Sequence, residues 1–448
     1  MSMLRGEMRK LASLALPVMG AQVGTMLIGT VDTLMVARLS TDALAAAAMA
    51  NAWIFGGLLF GQGVVLGMDP VITQAHGSGN RERVALTFQR GVVLALLVAL
   101  PVSLSWFFTE PILLALGQLP ELAVMAHRYT VVQIPTVGCF LVFCALRQYL
   151  QGRELVRPAM WVIGLGNLFN IVANWVLIFG KWGFPELGLL GAGIASALTR
   201  SLLLAGLIAW VLGFSLHRDA WVPWSRRVFE WRALRQLVAL GLPVAIQISL
   251  EVWAFTGSTL IAGRLGAVSL AAHTIVLNMA ALAFMLPLGI SQGAVTRVGN
   301  LLGAGQPQQA QQAAWVALAM GAGVMTISAV AFVVLRNALP ALYSPDAAVV
   351  ALSATILPIA AVFQIFDGIQ VVGCGVLRGM GRTQPAAWFN LLGYWILALP
   401  LGAWLVLSAG WGLQGIWWAL CLGLAVVAVL LLFWIRVRGP EHSARHFS

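Results

Sequence analysis

"DTLMVARLSTDALAA" (residues 32–46) returns 226 residues later as "STLIAGRLGAVSLAA" (258–272), pairing Thr33 with Thr259, Arg38 with Arg264 and Leu44 with Leu270. The same offset aligns "LALPV" (14–18) with "LGLPV" (240–244) before it and "GSGN" (77–80) with "GAGQ" (303–306) after it. Chance does not hold one ungapped offset over that distance. Further on the match continues with small shifts: Pro135 with Pro358 at 223, Pro158 with Pro385 and Trp161 with Trp388 at 227, and "GLLGAGIASA" (188–197) with "GLQGIWWALC" (412–421) at 224. The chain is one design written twice, a habit of membrane transporters.

The composition says where that design sits. Hydrophobic residues make up 60% and charged residues 9% of 448 positions, against roughly 45–50% and 25% in soluble domains. A helix needs about 20 apolar residues to cross a ~30 Å hydrocarbon core. Runs of that length predict twelve spans: 11–38, 44–74, 88–109, 123–150, 158–180, 187–214, 233–263, 269–302, 310–335, 347–377, 384–408 and 412–436. The runs are continuous rather than alternating with period two, which excludes a membrane β-barrel. Six spans per half give both halves the same orientation. The expected fold is an all-α polytopic membrane protein of twelve transmembrane helices in two pseudo-symmetric six-helix lobes, 1–214 and 233–448. The polar segment 215–232, "SLHRDAWVPWSRRVFEWR", joins them and reads as an amphipathic linker on the cytoplasmic surface.

The net charge of +11 raises nucleic acid as a partner, and its distribution removes that need. With the N-terminus inside, 20 of the 26 basic residues face the cytoplasm, among them Arg5, Arg81, Arg153, Arg226 and Arg445. Only Arg38, Arg128, Lys181, Arg264 and Arg336 fall on the other side, and Arg200 lies within a span. Membranes sort Lys and Arg in this way, so both termini are expected to be cytoplasmic. The first 40 residues lack a signal-peptide pattern, and the first span is expected to stay in the bilayer. The four cysteines, Cys139, Cys144, Cys374 and Cys421, fall inside spans without CxxC spacing and read as small apolar packers.

Charges inside spans carry the functional signal. Glu251 aligns with Thr25, Asp32 with Ser258 and Asp367 with Cys144, so each membrane carboxylate belongs to one half only and the repeat does not require it. An ionised group at the bilayer centre costs at least ~2.5–3.5 kcal/mol on insertion scales. A buried carboxylate that keeps its charge needs a cation beside it, so it can trade a proton for Na⁺ or for an organic cation. Asp69, before Pro70, reads as an interfacial helix-end residue, and His273 as a polar boundary residue near the outer start of span eight. Asn167, Asn170 and Asn174 lie on one face of span five, either bonding between helices or lining a cavity. Gln247, Asn278 and Gln292 on spans seven and eight are candidates to border the Glu251 site. Arg200 needs a partner or room to snorkel.

"VDTLMVARLS", "PVITQAHGSGN" (70–80), "NIVANWVLIFG" (170–180), "LEVWAFTGSTLIAGRLG", "AAHTIVLN", "TRVGNLLGAG" and "FQIFDGIQVVGCGVLRGMG" together resemble the multidrug and toxic compound extrusion (MATE) family, in its NorM-type branch of bacterial cation-coupled exporters. The resemblance covers essentially all twelve spans. It implies a V-shaped pair of six-helix lobes that opens alternately to either side and exports organic cations against entry of H⁺ or Na⁺. It also implies that Glu251 and Asp367 are the acids of a C-lobe cation site, and that Asp32 is the N-lobe acid used for proton coupling and substrate. One position departs from the pattern: Phe363 stands where the family often has a tyrosine, one turn before Asp367. The lost hydroxyl weakens Na⁺ relative to H⁺, since hard cations want several oxygens.

The leading expectation is therefore a secondary active multidrug antiporter of the bacterial inner membrane, a monomer without a cofactor. Its substrate-binding candidates are Asp32, Glu251, Asp367, Asn170, Asn174, Gln247 and Asn278, and Na⁺ would take Glu251 and Asp367. The alternative is a flippase for a lipid-linked saccharide. Its phosphate-bearing cargo would call for several arginines in the membrane, and only Arg200 is there. An enzyme is the third class, and no HExxH or GxxxxGK[ST] phosphate-binding loop occurs.

Overall fold

The computed structural model describes residues 2–442; Arg445, counted above with the cytoplasmic arginines, lies outside them. Every regular element among the described residues is helical, as lipid demands of a chain whose backbone groups have no water to bond. Twelve helices are long and apolar enough to cross a membrane. They are α1 (Arg5–Val36), α2 (Thr41–Gly77), α3 (Arg81–Phe107), α4 (Pro120–Gly152), α5 (Arg157–Phe179) and α6 (Gly188–Gly213) in the first half. The second half has α7 (Trp231–Gly263), α8 (Ala267–Gly303), α9 (Pro307–Val334), α10 (Ala347–Gly379), α11 (Thr383–Leu407) and α12 (Gly412–His442).

The ends are written locally. Ser40 accepts a hydrogen bond from the Ala43 amide at 3.0 Å, Asn80 from Arg83 at 2.9 Å and Asp346 from Ala348 at 2.8 Å, each capping the helix that follows. "GSGN" and "GAGQ" stop α2 and α8 in one way. Gly79 and Gly305 take φ of 75° and 72°, and the next amide, of Asn80 or Gln306, reaches back to Ala75 or Leu301 at 2.9 Å. A left-handed residue closed by such a bond is a helix stop that glycine fills without strain.

Prolines interrupt three spans in different ways. Proline lacks an amide hydrogen and its ring crowds the carbonyl four residues back. Before Pro70 the helix tightens into a 3₁₀ turn at Leu66–Met68, and around Pro135 it does so at Ile134–Thr136. Ahead of Pro400, α11 instead widens into a π-helix over Leu391–Ala398.

The described chain forms two compact units, and they differ from the halves drawn on the repeat. The N-terminal unit comprises Gly20–Ala75 and Asn80–Ala245; the C-terminal unit comprises residues 2–19, His76–Gly79 and 246–442. Residues 2–19 thus pack with the second half, and residues 231–245 with the first. Leu11 and Ala15 are buried with Ile290, Ala294 and Val298 of α8. Above them Arg297 holds Glu7 by two bonds, Nε to Oε2 at 2.9 Å and Nη2 to Oε1 at 2.6 Å, with side chains only 11% and 15% exposed. Breaking one partner of a buried pair strands the other charge. Arg297→Met is therefore expected to cost about 3 kcal/mol, read as a lower Tm in detergent, and Glu7→Leu with Arg297→Met to recover most of it. Equal losses in the single and double variants would show that the pair contributes packing only.

Within the N-terminal unit the start of α7 meets α2 along small residues. A methyl group on Gly67 would lie 2.7 Å from Gly241 Cα, and one on Gly241 would lie 2.9 Å from Val64 Cα. Gly63 and Gly67, four apart, face Ala245 and Gly241, four apart. This is the small-residue seam by which membrane helices bring backbones together.

Segment 215–232 is fastened to the N-terminal unit. It forms two 3₁₀ turns, Arg218–Ala220 and Arg226–Phe229. Gln89 Nε2 donates to the Val222 carbonyl at 2.7 Å, the Tyr149 hydroxyl to Ala220 at 2.8 Å and Arg153 Nη1 to Leu216 at 2.7 Å. Arg90 pairs with Glu230 at 3.1 Å and Arg227 with Glu82 at 2.6 Å. Trp221, Trp224 and Phe229 stay exposed, the disposition of interfacial anchors.

Candidate functional sites

In the N-terminal unit, Asp32 of α1 is buried and accepts two hydrogen bonds, from Asn174 Nδ2 of α5 and from Ser196 Oγ of α6 at 2.9 Å. Asn174 Nδ2 also reaches Asn170 Oδ1 at 3.2 Å, and Asn170 Nδ2 reaches Thr199 Oγ1 at 3.3 Å. The four-residue spacing of Asn170 and Asn174 stacks both amides on one helix face. Asn167 bonds back to Ile163 within its own helix and stays out of the network. Arg200, one residue after Thr199, lies within electrostatic reach of Asp32 and of Tyr129, and its Nη1 has no hydrogen-bond partner among the described residues. The Tyr129 hydroxyl donates to Asn51 Oδ1 at 3.1 Å. Asn174 Oδ1 is buried and unpartnered among the described residues. The cluster can therefore serve a charged Asp32 through its donors and a protonated one through that spare acceptor.

In the C-terminal unit, Glu251 of α7 accepts from Gln370 Nε2 of α10 at 3.4 Å. Gln370 also donates to Asn390 Oδ1 of α11 at 3.0 Å, and Asn390 donates to Ala386 at 2.8 Å. Asp367, one turn before Gln370, is buried and within electrostatic reach of Glu251. Around the two acids, Asp367 Oδ1, Gln370 Oε1, both amide atoms of Gln364 and the Tyr394 hydroxyl are buried and unpartnered among the described residues. Native interiors satisfy nearly all buried polar atoms, so this concentration of open polar atoms, four oxygens and one amide nitrogen, suits a cation or water. Gln247 is buried one turn before Glu251, while Asn278 is exposed on α8. Neither is hydrogen-bonded to this network among the described residues.

Two further polar residues within spans are buried in the protein. Asp69 is buried directly after the 3₁₀ turn at Leu66–Met68, and Gln148 Nε2 donates to its Oδ1 at 2.8 Å. His273, near the start of α8, is fully buried. Its Nε2 lies 3.3 Å from Ser258 Oγ, and its ring centroid lies 5.7 Å from that of Trp417. All four cysteines are free.

Sequence reasoning missed Ser196, Thr199, Tyr129 and Asn51 around Asp32, and Gln370, Asn390 and Tyr394 around the other acids. Asn390 carried a signal. It stands opposite Ile163 at the offset of 227, breaking the repeat as the acids do.

The polypeptide matches the MatE family model over residues 17–176 and 243–404. It is 35% identical to the probable multidrug resistance protein NorM of Bradyrhizobium diazoefficiens, over 97% of this chain and 94% of that one. It is 37% identical to the multidrug resistance protein NorM of Burkholderia vietnamiensis, over 94% and 92%. The crystal structure of the eukaryotic MATE transporter AtDTX14 superposes with a TM-score of 0.90 at 25% identity, covering 98% of this chain and 97% of that one. Twelve apolar helices, a family model that recognises both copies of the repeat, and relatives matched along nearly their whole length make this chain a multi-pass membrane protein of the MatE family.

Proposed function

We propose that the protein is a secondary active antiporter of the bacterial inner membrane that exports lipophilic or cationic drugs in exchange for H⁺ or Na⁺ by alternating access, as a monomer with both termini cytoplasmic. One observation carries this reading: each unit buries an acid among amides and hydroxyls at a position that the other copy of the repeat leaves uncharged. The names of the relatives as multidrug resistance proteins support the drug cargo.

At the N-terminal cluster, a cation leaving Asp32 leaves a carboxylate held by Asn174 and Ser196. A proton arriving there turns that carboxylate into a donor, which Asn174 Oδ1 can accept once its amide turns over. The donors of one state thus become the acceptor of the next. In the C-terminal unit, Glu251 and Asp367 supply the negative charge that makes entry of a cation favourable. Each elementary charge entering at ~100 mV contributes roughly 2.3 kcal/mol. The exposed tryptophans and phenylalanines chiefly face lipid and its boundaries, and a subset offers stacking faces to flat organic cations.

Reconstitution tests the reading. Liposomes holding the protein, given a proton or a sodium gradient in turn, are expected to move a fluorescent lipophilic cation against its gradient. Glu251→Gln and Asp367→Asn are each expected to cut that movement by about tenfold or more. Dye movement indifferent to both gradients, or transfer of a lipid-linked saccharide without dye movement, would refute the antiporter.

A further inference from the structure

The start of α7 presents a surface that neither acid cluster uses. Its backbone is fixed by the segment before it. The 3₁₀ turn Arg226–Phe229 runs into α7 through Glu230, whose carbonyl accepts from the amides of Ala233 and Leu234, each at 3.1 Å. Arg90 of α3 ties the junction down: its Nη2 donates to the Arg227 carbonyl at 2.9 Å and to Glu230 Oε2 at 3.1 Å. Val228, Leu234 and Leu237 are buried, so one side of this turn and helix is packed into the N-terminal unit.

The other side is open. Arg226, Phe229, Trp231, Arg232 and Arg235 are exposed, Phe229 by 63% and Trp231 by 72%. Residues three and four apart share a helix face, which groups Trp231, Arg232 and Arg235 away from Leu234 and Leu237. Positive charge is left over on that face. The acids beside it are already engaged, Glu230 with Arg90 and Glu82 with Arg227. Arg226, Arg232 and Arg235 have no ion pair among the described residues.

The start of α1 supplies the comparison. The offset of 226 sets Trp231, Arg232 and Arg235 opposite Arg5, Gly6 and Arg9. Basic residues recur there, whereas the aromatic belongs to one copy alone. Aromatic rings at the end of a span sit at headgroup depth, and basic residues beside a span attract anionic headgroups. The two features occur together only at the start of α7.

We propose that the face spanning Arg226–Arg235 is a binding site for an anionic phospholipid, whose phosphate is taken by Arg226, Arg232 and Arg235 while Phe229 and Trp231 enter the boundary of its acyl chains. Guanidinium groups suit this task because their paired N–H donors match phosphate oxygens. The fastened turn holds the arginines on an ordered backbone, which spares part of the ordering cost that a loose linker would meet on binding.

Native mass spectrometry of the purified full chain in detergent, titrated with phosphatidylglycerol or with phosphatidylcholine, tests the site. The unmodified protein is expected to retain phosphatidylglycerol at about tenfold lower lipid concentration than phosphatidylcholine. Arg226→Gln, Arg232→Gln and Arg235→Gln combined are expected to remove that preference, with an unchanged Tm in detergent without added lipid because these side chains hold no ion pair. Lysine at the same three positions is expected to keep part of the preference, since charge remains and the paired donors are lost. Phe229→Ala with Trp231→Ala is expected to weaken retention of both lipids alike. A preference that survives the glutamine variant, or that disappears instead in Arg5→Gln with Arg9→Gln and Lys10→Gln, would overturn the site. Equal retention of the two lipids by the unmodified protein would overturn it as well.

Discussion

Asp32→Asn is expected to reduce drug-coupled transport about 100-fold or more while leaving the purified protein monodisperse with a Tm near that of the parent. The substitution preserves shape and volume but removes charge, and it reverses one bonding role. Asp32 accepts from Asn174 and from Ser196; an asparagine offers one acceptor oxygen and an NH₂ that must face one of those donors. The neutral side chain can neither gain a proton nor hold an organic cation, so the exchange at this cluster stops. Arg200, within electrostatic reach of Asp32, then has no counter-charge in the cluster. Because the amides and Ser196 can re-pair among themselves, the fold tolerates the change better than the function does. The measurement is dye efflux with proton movement recorded in the same vesicles. Efflux that keeps its pH dependence in Asp32→Asn would place the coupling elsewhere.

Gly241→Leu is expected to abolish accumulation of folded protein, and Gly67→Val to do nearly the same. Both glycines stand where backbones touch: a first side-chain carbon on Gly241 already lies 2.9 Å from Val64 Cα, and one on Gly67 2.7 Å from Gly241 Cα. Overpacking a core that side chains can relax costs about 1–3 kcal/mol. Here the obstacle is main chain, and the helices must part, losing the contacts along the seam. The expected cost, about 4–5 kcal/mol or more, is a large part of a typical stability. Gly241→Ala should be milder and partly rescued by lower growth temperature. Fluorescence size-exclusion profiles of tagged protein decide it: a sharp monodisperse peak for Gly241→Leu would contradict the close approach.

The features legible in the sequence are those set by local chemistry. Spans are visible because an apolar run of fixed length is itself the requirement, and the halves because an offset of 226 survives in side-chain identity. Asp32, Glu251 and Asp367 stand out because a charge in an apolar run has to be explained. Their partners did not, since Ser196 and Gln370 look ordinary until folding brings them to an acid more than a hundred residues away. Tyr394 was hidden for a further reason. Its direction depends on a π register, and α-helical periodicity, on which face assignments rest, does not hold across Leu391–Ala398.

Residues 2–19 pack with the second half and residues 231–245 with the first; the two crossover points, after Met19 and after Ala245, are themselves 226 apart. For a chain emerging from the ribosome this imposes a schedule. The opening segment enters the bilayer first, yet its partners on α8 exist only after more than half of the polypeptide has been made. Until then Leu11, Ala15 and Glu7 must wait in lipid or in the care of the insertion machinery. Gene fragments encoding 1–214 and 233–448 would each lack part of their own core, so the two copies, though born of duplication, can no longer mature apart.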